Sequence, residues 1–431
     1  GYFSGHIRSC KVGLLPTEVG SRSQRQPRQQ HKSLILPLRI FPFYSAPLTG
    51  IFFPVSTYSS FYYIVPIMVR PTLSFAALAL STVLSTVTAA PTAIPELLRR
   101  NGCTADNMEV RKDWNNLSGD ERIAYTDAVN CIMKQPSNLD PTAYPGATNK
   151  FEDYAAIHIA RSLNIHVSGF FLTWHRLYLQ VWYYDLKNTC GYTGPMPYWN
   201  WPATAGDLQS SSVFDGSATS MSGDGLYNDT GPIALGPNFT LPHGTGGGCV
   251  TSGPFANYQT TFAPISIGVA LSGGPLPPTA FDYNPTCLTR DLNSYVANTF
   301  TTQAEVDAAI ASPDIASFQA AINGNVTADN LGLHLGAHFS VGGMASNLFS
   351  SPQDPIWYLL HAYMDKVYTT WQTTNPDAAN GVSGTETFSN VPPSANVTAD
   401  TYEPDWGYFY PSVTVGDLLD TNAGPFCYYY E

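Results

Sequence analysis

The sequence predicts a mainly α-helical protein with long irregular loops and short strands. Three observations carry that expectation. Apolar residues recur at three- to four-residue steps in several stretches of helical length. The span 202–290 is instead dominated by Gly, Pro, Ser and Thr, with few long periodic runs. Six of the nine histidines fall in two triplets on or beside the periodic stretches.

The first periodic stretch runs from Val110 to Lys134, with Trp114, Leu117, Ile123, Tyr125, Val129 and Ile132 in step. Ser118 followed by Glu121 is a capping-box pattern inside it, which allows two helices. Phe151 to Ile165 reads as the next helix. A longer apolar helix follows from about Thr173 to Asn188, stopped by Gly191 or by Gly194 and Pro195. After the irregular span, helical character returns at Thr302–Asn323, Asn330–Phe339 and Asp354–Gln372. The tail, 375–431, is rich in Pro, Gly and Tyr and is expected to wrap the core. No internal repeat and no domain boundary is visible after Asn101.

Charge divides the chain in two. Of 20 Lys and Arg and 32 Asp and Glu, residues 1–100 hold 10 and 2, leaving 10 and 30 for 101–431. The larger part is strongly acidic, which excludes nucleic acid as a partner. Within the basic part, Met68 opens a secretory layout: Arg70, an apolar run from Leu73 to Val87, then Thr88-Ala89-Ala90. The run is too short for a comfortable membrane span. The expected organisation is therefore an upstream extension at 1–67, a signal peptide at 68–90, a propeptide at 91–100 ending in Arg99-Arg100, and one catalytic domain at 101–431. No membrane association is expected of the mature form.

Secretion carries expectations of its own. Setting aside Cys10, six cysteines remain: Cys103, Cys131, Cys190, Cys249, Cys287 and Cys427. An even count in an oxidising compartment reads as disulfides, with fifteen possible pairings and none favoured by spacing. Glycosylation is expected at Asn116, Asn228, Asn238, Asn325 and Asn396, each in an Asn-x-Ser/Thr sequon.

The histidines carry the chemistry. His158, His166 and His175 form one triplet, and His334, His338 and His361 the other. His334 and His338 stand four apart, on one helix face. His361 and Asp365 share a face in the same way. Two three-coordinate imidazole sites, without thiolate or carboxylate, suit copper, zinc, iron or nickel. Open positions on both would accept a small bridging molecule such as dioxygen. His243 falls outside both sets, in Pro242-His243-Gly244, and is expected at the surface.

Phe170-Phe171-Leu172-Thr173-Trp174-His175-Arg176, with Pro197-Tyr198-Trp199-Asn200-Trp201-Pro202, resembles the first copper motif of tyrosinases and catechol oxidases. Leu333-His334-Leu335-Gly336-Ala337-His338 with Gly342-Gly343, then Asp354-Pro355-Ile356-Trp357-Tyr358 and His361-Ala362-Tyr363-Met364-Asp365-Lys366, resembles the second. The terminal Tyr428-Tyr429-Tyr430 is similar to the Tyr-x-Tyr signature that closes the catalytic core. The resemblance spans 101–431 and is closest to short secreted fungal polyphenol oxidases. It implies a four-helix bundle around a dinuclear type-3 copper centre, with O2 as co-substrate and a small phenol as substrate. His158, His166 and His175 would bind the first copper, and His334, His338 and His361 the second. Arg176 and Asp365 would form a buried pair beside the ligand helices. Leu335, Phe339, Leu348 and Trp357 are candidate pocket walls.

Three departures from the family pattern stand out. Leu360 precedes His361 where many relatives have a second His. Asn164 stands where fungal members carry a Cys linked to the second ligand, so no thioether is expected. Leu335 follows His334 where good monophenol hydroxylases often have Asn, and 315–328 contains no Asp or Glu. The expected activity is oxidation of o-diphenols to o-quinones with weak or no monophenol hydroxylation. The alternatives are a full tyrosinase, a haemocyanin-like oxygen carrier, or a dizinc or di-iron hydrolase, the last of which would need bridging carboxylates.

Overall fold

The computed structural model describes residues 102–236 and 239–431. The expected extension, signal peptide and propeptide, and Asn238, lie outside the described residues. Helices α1 (Gly119–Ile132), α2 (Lys150–Ile165) and α3 (Phe171–Cys190) come first, followed by the single turn α4 (Trp201–Thr204) and the short α5 (Gly268–Ser272). Then come α6 (Ser294–Phe300), α7 (Gln303–Ile310), α8 (Ile315–Asn323), α9 (Gly332–Val341) and α10 (Ile356–Thr374). Helices α2, α3, α9 and α10 form the expected four-helix bundle. No helix among the described residues is long and apolar enough to cross a membrane.

The helix starts follow local chemistry. Ser118 and Glu121 close a reciprocal capping box on α1, and Asn149 accepts from the Phe151 and Glu152 amides to start α2. Helix α3 stops at Gly191, whose positive φ ends the ladder. The stretch expected as helix from Thr302 to Asn323 is two helices, broken around Pro313 and restarted by Asp314, whose side chain caps α8.

The expected helix at Val110 is corrected by the structure. Glu109–Asp113 is strand β1, Trp114–Asn116 a short 3-10 turn, and α1 begins only at Gly119. Strand β1 is the middle of a parallel three-stranded sheet, between β2 (Met196–Tyr198) and β9 (Tyr428–Tyr430). Its inward residues are Arg111 and Asp113, so its period of two is written in charged side chains and escapes an apolar-pattern reading. Partners far along the chain decided the conformation.

The irregular span holds the short pairs β3 (Gly225–Tyr227) with β6 (Gly247–Val250), β4 (Ile233–Ala234) with β5 (Thr240–Leu241), and β7 (Gln259–Thr260) with β8 (Thr286–Cys287). It is anchored to the bundle by a fully buried ion pair. The Arg290 guanidinium donates to both oxygens of Asp354 at 2.7 and 2.9 Å, and its remaining nitrogen donates to the carbonyls of Met221 and Ser222. Asp354 also accepts from the Ile356 amide at the first turn of α10, so this pair sets the start of a ligand helix.

Three disulfides take up all six described cysteines: Cys103–Cys427, Cys131–Cys190 and Cys249–Cys287. The first ties the start of the domain to its tail, the second joins the ends of α1 and α3, and the third staples the irregular span. No described cysteine remains for a thioether to a ligand, and Asn164 instead donates to the Glu386 carbonyl at 2.9 Å.

Candidate dinuclear metal centre

Each ligand's place follows from its helix. His158 sits within α2, His166 caps its C-terminus, and His175 lies one turn into α3. His334 and His338 stack on one face of α9, and His361 lies early in α10. All six are buried, none more than 6% exposed. Within each triplet the ligand nitrogens lie within 4.8 Å of one another. The structure thus brings together the two sets that the sequence spacing suggested, and the resemblance divides them correctly.

Four of the imidazoles are turned inward by carbonyls. His158 Nδ1 lies 2.7 Å from Phe349 O, His166 Nδ1 3.0 Å from Ser162 O, His175 Nδ1 2.7 Å from Phe171 O, and His338 Nδ1 2.6 Å from Ala345 O. A carbonyl only accepts, so each Nδ1 carries the proton and each Nε2 keeps a lone pair for a metal. The Ala345 carbonyl is delivered by a sharp reversal after α9. Gly342 and Gly343 take positive φ there, and a Cβ on either would collide with the backbone of 289–291.

Burial pushes every one of these histidines below its ordinary pKa, His166 to about 3 and His338 to about 4, so all six are neutral near pH 7. The Nε2 atoms of His158 and His175 are buried with no hydrogen-bond partner. His338 Nε2 lies 3.0 Å from His334 Nε2 and 3.1 Å from His361 Nε2. Lone pairs gathered this closely repel unless a cation sits among them. Imidazole–metal bonds of about 2.0–2.1 Å fit that spacing. The donor set therefore suits a metal, and neither triplet includes a carboxylate of the kind a hydrolase would use as a bridge.

Aromatic rings close the centre. Trp357 stacks on His361 with centroids 3.8 Å apart, and Phe171 lies 4.8 Å from both His175 and His334. Trp357 is fully buried behind its ligand. Leu348 packs into a separate cluster with Phe262 and Phe349. Leu335 and Phe339, each one residue beyond a ligand and so about 100° around the helix, are partly buried against Phe239, Leu241, Val296 and Leu331. His243 is not a plain surface residue. Its side chain is 12% exposed, and both ring nitrogens lie at 2.9–3.0 Å from backbone carbonyls, with Asp291 at 3.6 Å.

Arg176 and Asp365 form the expected buried pair, at 2.7 Å. The sequence reading missed its third member. Arg111 reaches from β1 to the other Asp365 oxygen at 3.0 Å, and the hydroxyls of Tyr428 and Tyr430 each donate to that oxygen at 2.6 Å. Arg176 also donates to Leu419 O and Gln372, and Arg111 to Gln180. Every charge in the cluster is met, and the two arginines hold the Asp365 carboxyl below its ordinary pKa despite its burial.

The common central domain of tyrosinase matches residues 148–374. The chain belongs to the tyrosinase family. It is 37% identical to tyrosinase P of Aspergillus terreus over 335 residues, covering 75% of this chain and 92% of that protein. It is 34% identical to the N-acetyl-6-hydroxytryptophan oxidase of Emericella nidulans, covering 76% and 94%. Among solved structures, a variant of the polyphenol oxidase from Thermothelomyces thermophila matches with a TM-score of 0.71 and 35% identity, over 78% of this chain and 92% of that one. As a tyrosinase-family oxidase it is a type-3 copper protein acting on phenols, and its two triplets fit a dinuclear copper pair.

Proposed function

We propose that this is a secreted catechol oxidase, converting o-diphenols to o-quinones with O2 and hydroxylating monophenols weakly or not at all. Overall, two catechols and one O2 would give two o-quinones and two waters. The copper pair, when bound, supplies the redox chemistry. The chain supplies six neutral imidazoles, four of them oriented by carbonyls, and Trp357 and Phe171 pack against the ligand rings. His158, His166 and His175 would hold one copper, and His334, His338 and His361 the other.

The observation that carries the o-diphenol reading is Leu335 beside His334. Monophenol hydroxylation needs the phenol deprotonated at the centre, by a base within about 2.6–3.2 Å or through one water. Leu335 offers no hydrogen bond to hold such a water. The acids flanking the stretch 315–328 are engaged elsewhere: Asp314 caps α8 and Asp329 lies in an exposed turn. The names of the relatives, a tyrosinase and an oxidase of a hydroxylated indole, are compatible with a hydroxylated aromatic substrate. Export is supported by the three disulfides and by the exposure of Asn116, Asn228, Asn325 and Asn396.

Quinone formation by the copper-loaded protein tests the reading. Dopamine should be oxidised about a hundredfold faster than tyramine, the size of a missing general base, and Leu335→Asn should narrow that gap. Equal rates on both would make the protein a full tyrosinase. Reversible O2 binding without turnover would make it a carrier.

A further inference from the structure

Two small cavities adjoin along the interface of the ligand helices α3 and α10. The inner one is lined by His175 and His361, one ligand from each triplet, together with Phe171, Leu172, Met364 and Tyr368. The two ligand rings stack with centroids 4.7 Å apart, so this cavity meets the centre where its two halves join. The outer cavity is bounded by Ile315 and Gln319 of α8 and by the tail at 381–383 and Leu419. Leu172 and Tyr368 line both cavities and form the partition between them. Both are buried, whereas 381–383 are partly exposed. The pair of cavities therefore leads from the surface of the tail to a ligand of each copper site.

The chemistry of the inner cavity narrows what can use it. It has room for about one water-sized molecule, and its surface is mostly carbon. Arg176 and Asp365 stand at its edge, but their charges are spent on each other, on Arg111 and on the Tyr428 and Tyr430 hydroxyls. A small apolar cavity of this kind takes apolar gases such as xenon. Dioxygen is such a gas, and a phenol ring is several times too large. The residues singled out as candidate phenol contacts, Leu335, Phe339, Leu348 and Trp357, line neither cavity.

We propose that the two cavities are an entry route for dioxygen, separate from that of the phenol, with Leu172 as the partition that the gas must pass. This rests on the oxidase class and not on the o-diphenol reading, so any phenol that the protein turns over serves in the test. Leu172→Phe extends a ring into the partition, and Val382→Phe fills the outer cavity from its partly exposed side. Xenon-pressurised crystals of the copper-free protein, which need no turnover, should show xenon in the inner cavity of wild type and none there in Leu172→Phe. In the copper-loaded protein, kcat/KM for O2 should fall severalfold in both variants, while kcat/KM for the phenol and two coppers per chain are retained. Val382 lies outside the ligand helices, so its variant keeps the test open if overpacking at Leu172 costs the fold. Ordered water in place of xenon in the wild-type inner cavity overturns the proposal. So does an unchanged kcat/KM for O2 in the folded variants. An equal fall for O2 and phenol overturns it as well, since a distorted centre slows both. Equal rates on tyramine and dopamine would sink the o-diphenol reading and leave the oxygen route to be judged by the same ratio.

Discussion

At the level of single residues, the six histidines differ in what fixes them. His338 is held by the Ala345 carbonyl on one side and faces two other Nε2 atoms on the other, whereas His361 Nδ1 is buried with no hydrogen-bond partner. Stacking on Trp357 at 3.8 Å, and on His175 at 4.7 Å, orients His361 in place of a hydrogen bond. His361→Ala removes one ligand but little of the apolar core. Copper content should fall from two per chain toward one and quinone formation should be lost, while far-ultraviolet circular dichroism stays native. Full activity with two bound coppers would remove His361 from the ligand set.

Between elements, the Asp365 cluster decides how ligand helices meet. It joins α3 through Arg176, α10 through Asp365 itself, β1 through Arg111 and β9 through two tyrosine hydroxyls. His175 precedes Arg176, and His361 lies one turn before Asp365, so the cluster clamps one ligand from each triplet. Buried charges are stable here only because each is paired; removing one partner of such a group costs about 3–5 kcal/mol. Asp365→Asn should destabilise the fold by about that much in denaturant unfolding, with a smaller loss, about 1 kcal/mol, for Tyr430→Phe. An Asp365→Asn protein of native stability would show that the arginines find compensation elsewhere.

For the whole molecule, the tail is both wrap and liability. It carries β9, the Leu418 and Leu419 carbonyls that meet Arg176, and Trp406, which stacks on Trp174 at 4.4 Å. It also buries Glu403, whose two carboxylate oxygens lack hydrogen-bond partners. Burial pushes this carboxyl up to about 8, with the nearby Thr173 side chain acting in the opposite direction. A raised folded pKa means that the native state holds a proton the unfolded chain has released. Stability is then full below about 4.5 and declines as pH rises towards 8. Glu152, also raised to about 8 by burial, adds to the same trend. Glu403→Gln should therefore raise the melting midpoint more at pH 8 than at pH 5. An equal effect at both would mean that Glu403 is not protonated in the folded protein.

The local chemistry of the chain was enough to determine where the ligand helices run, the caps of α1 and α2, and the two histidine triplets. Helical spacing puts His334 and His338 on one face whatever surrounds them, and Ser118 and Asn149 cap with their own side chains. The cysteine count foretold disulfides, but their pairing waited on which chain ends lie together. Contacts across the molecule decided the rest. Val110 looks helical until β2 and β9 pair on either side of it, some 85 and 319 residues further along. Arg111 could not be linked to Asp365 by any local rule, because they stand 254 residues apart. Val167 is unremarkable as a letter in the chain; a hydrogen bond from the Ser389 amide of the tail meets its carbonyl where its φ is positive. Periodicity reports what a segment does with its own neighbours, while a buried charge or a strained turn is stabilised only by partners that folding brings to it.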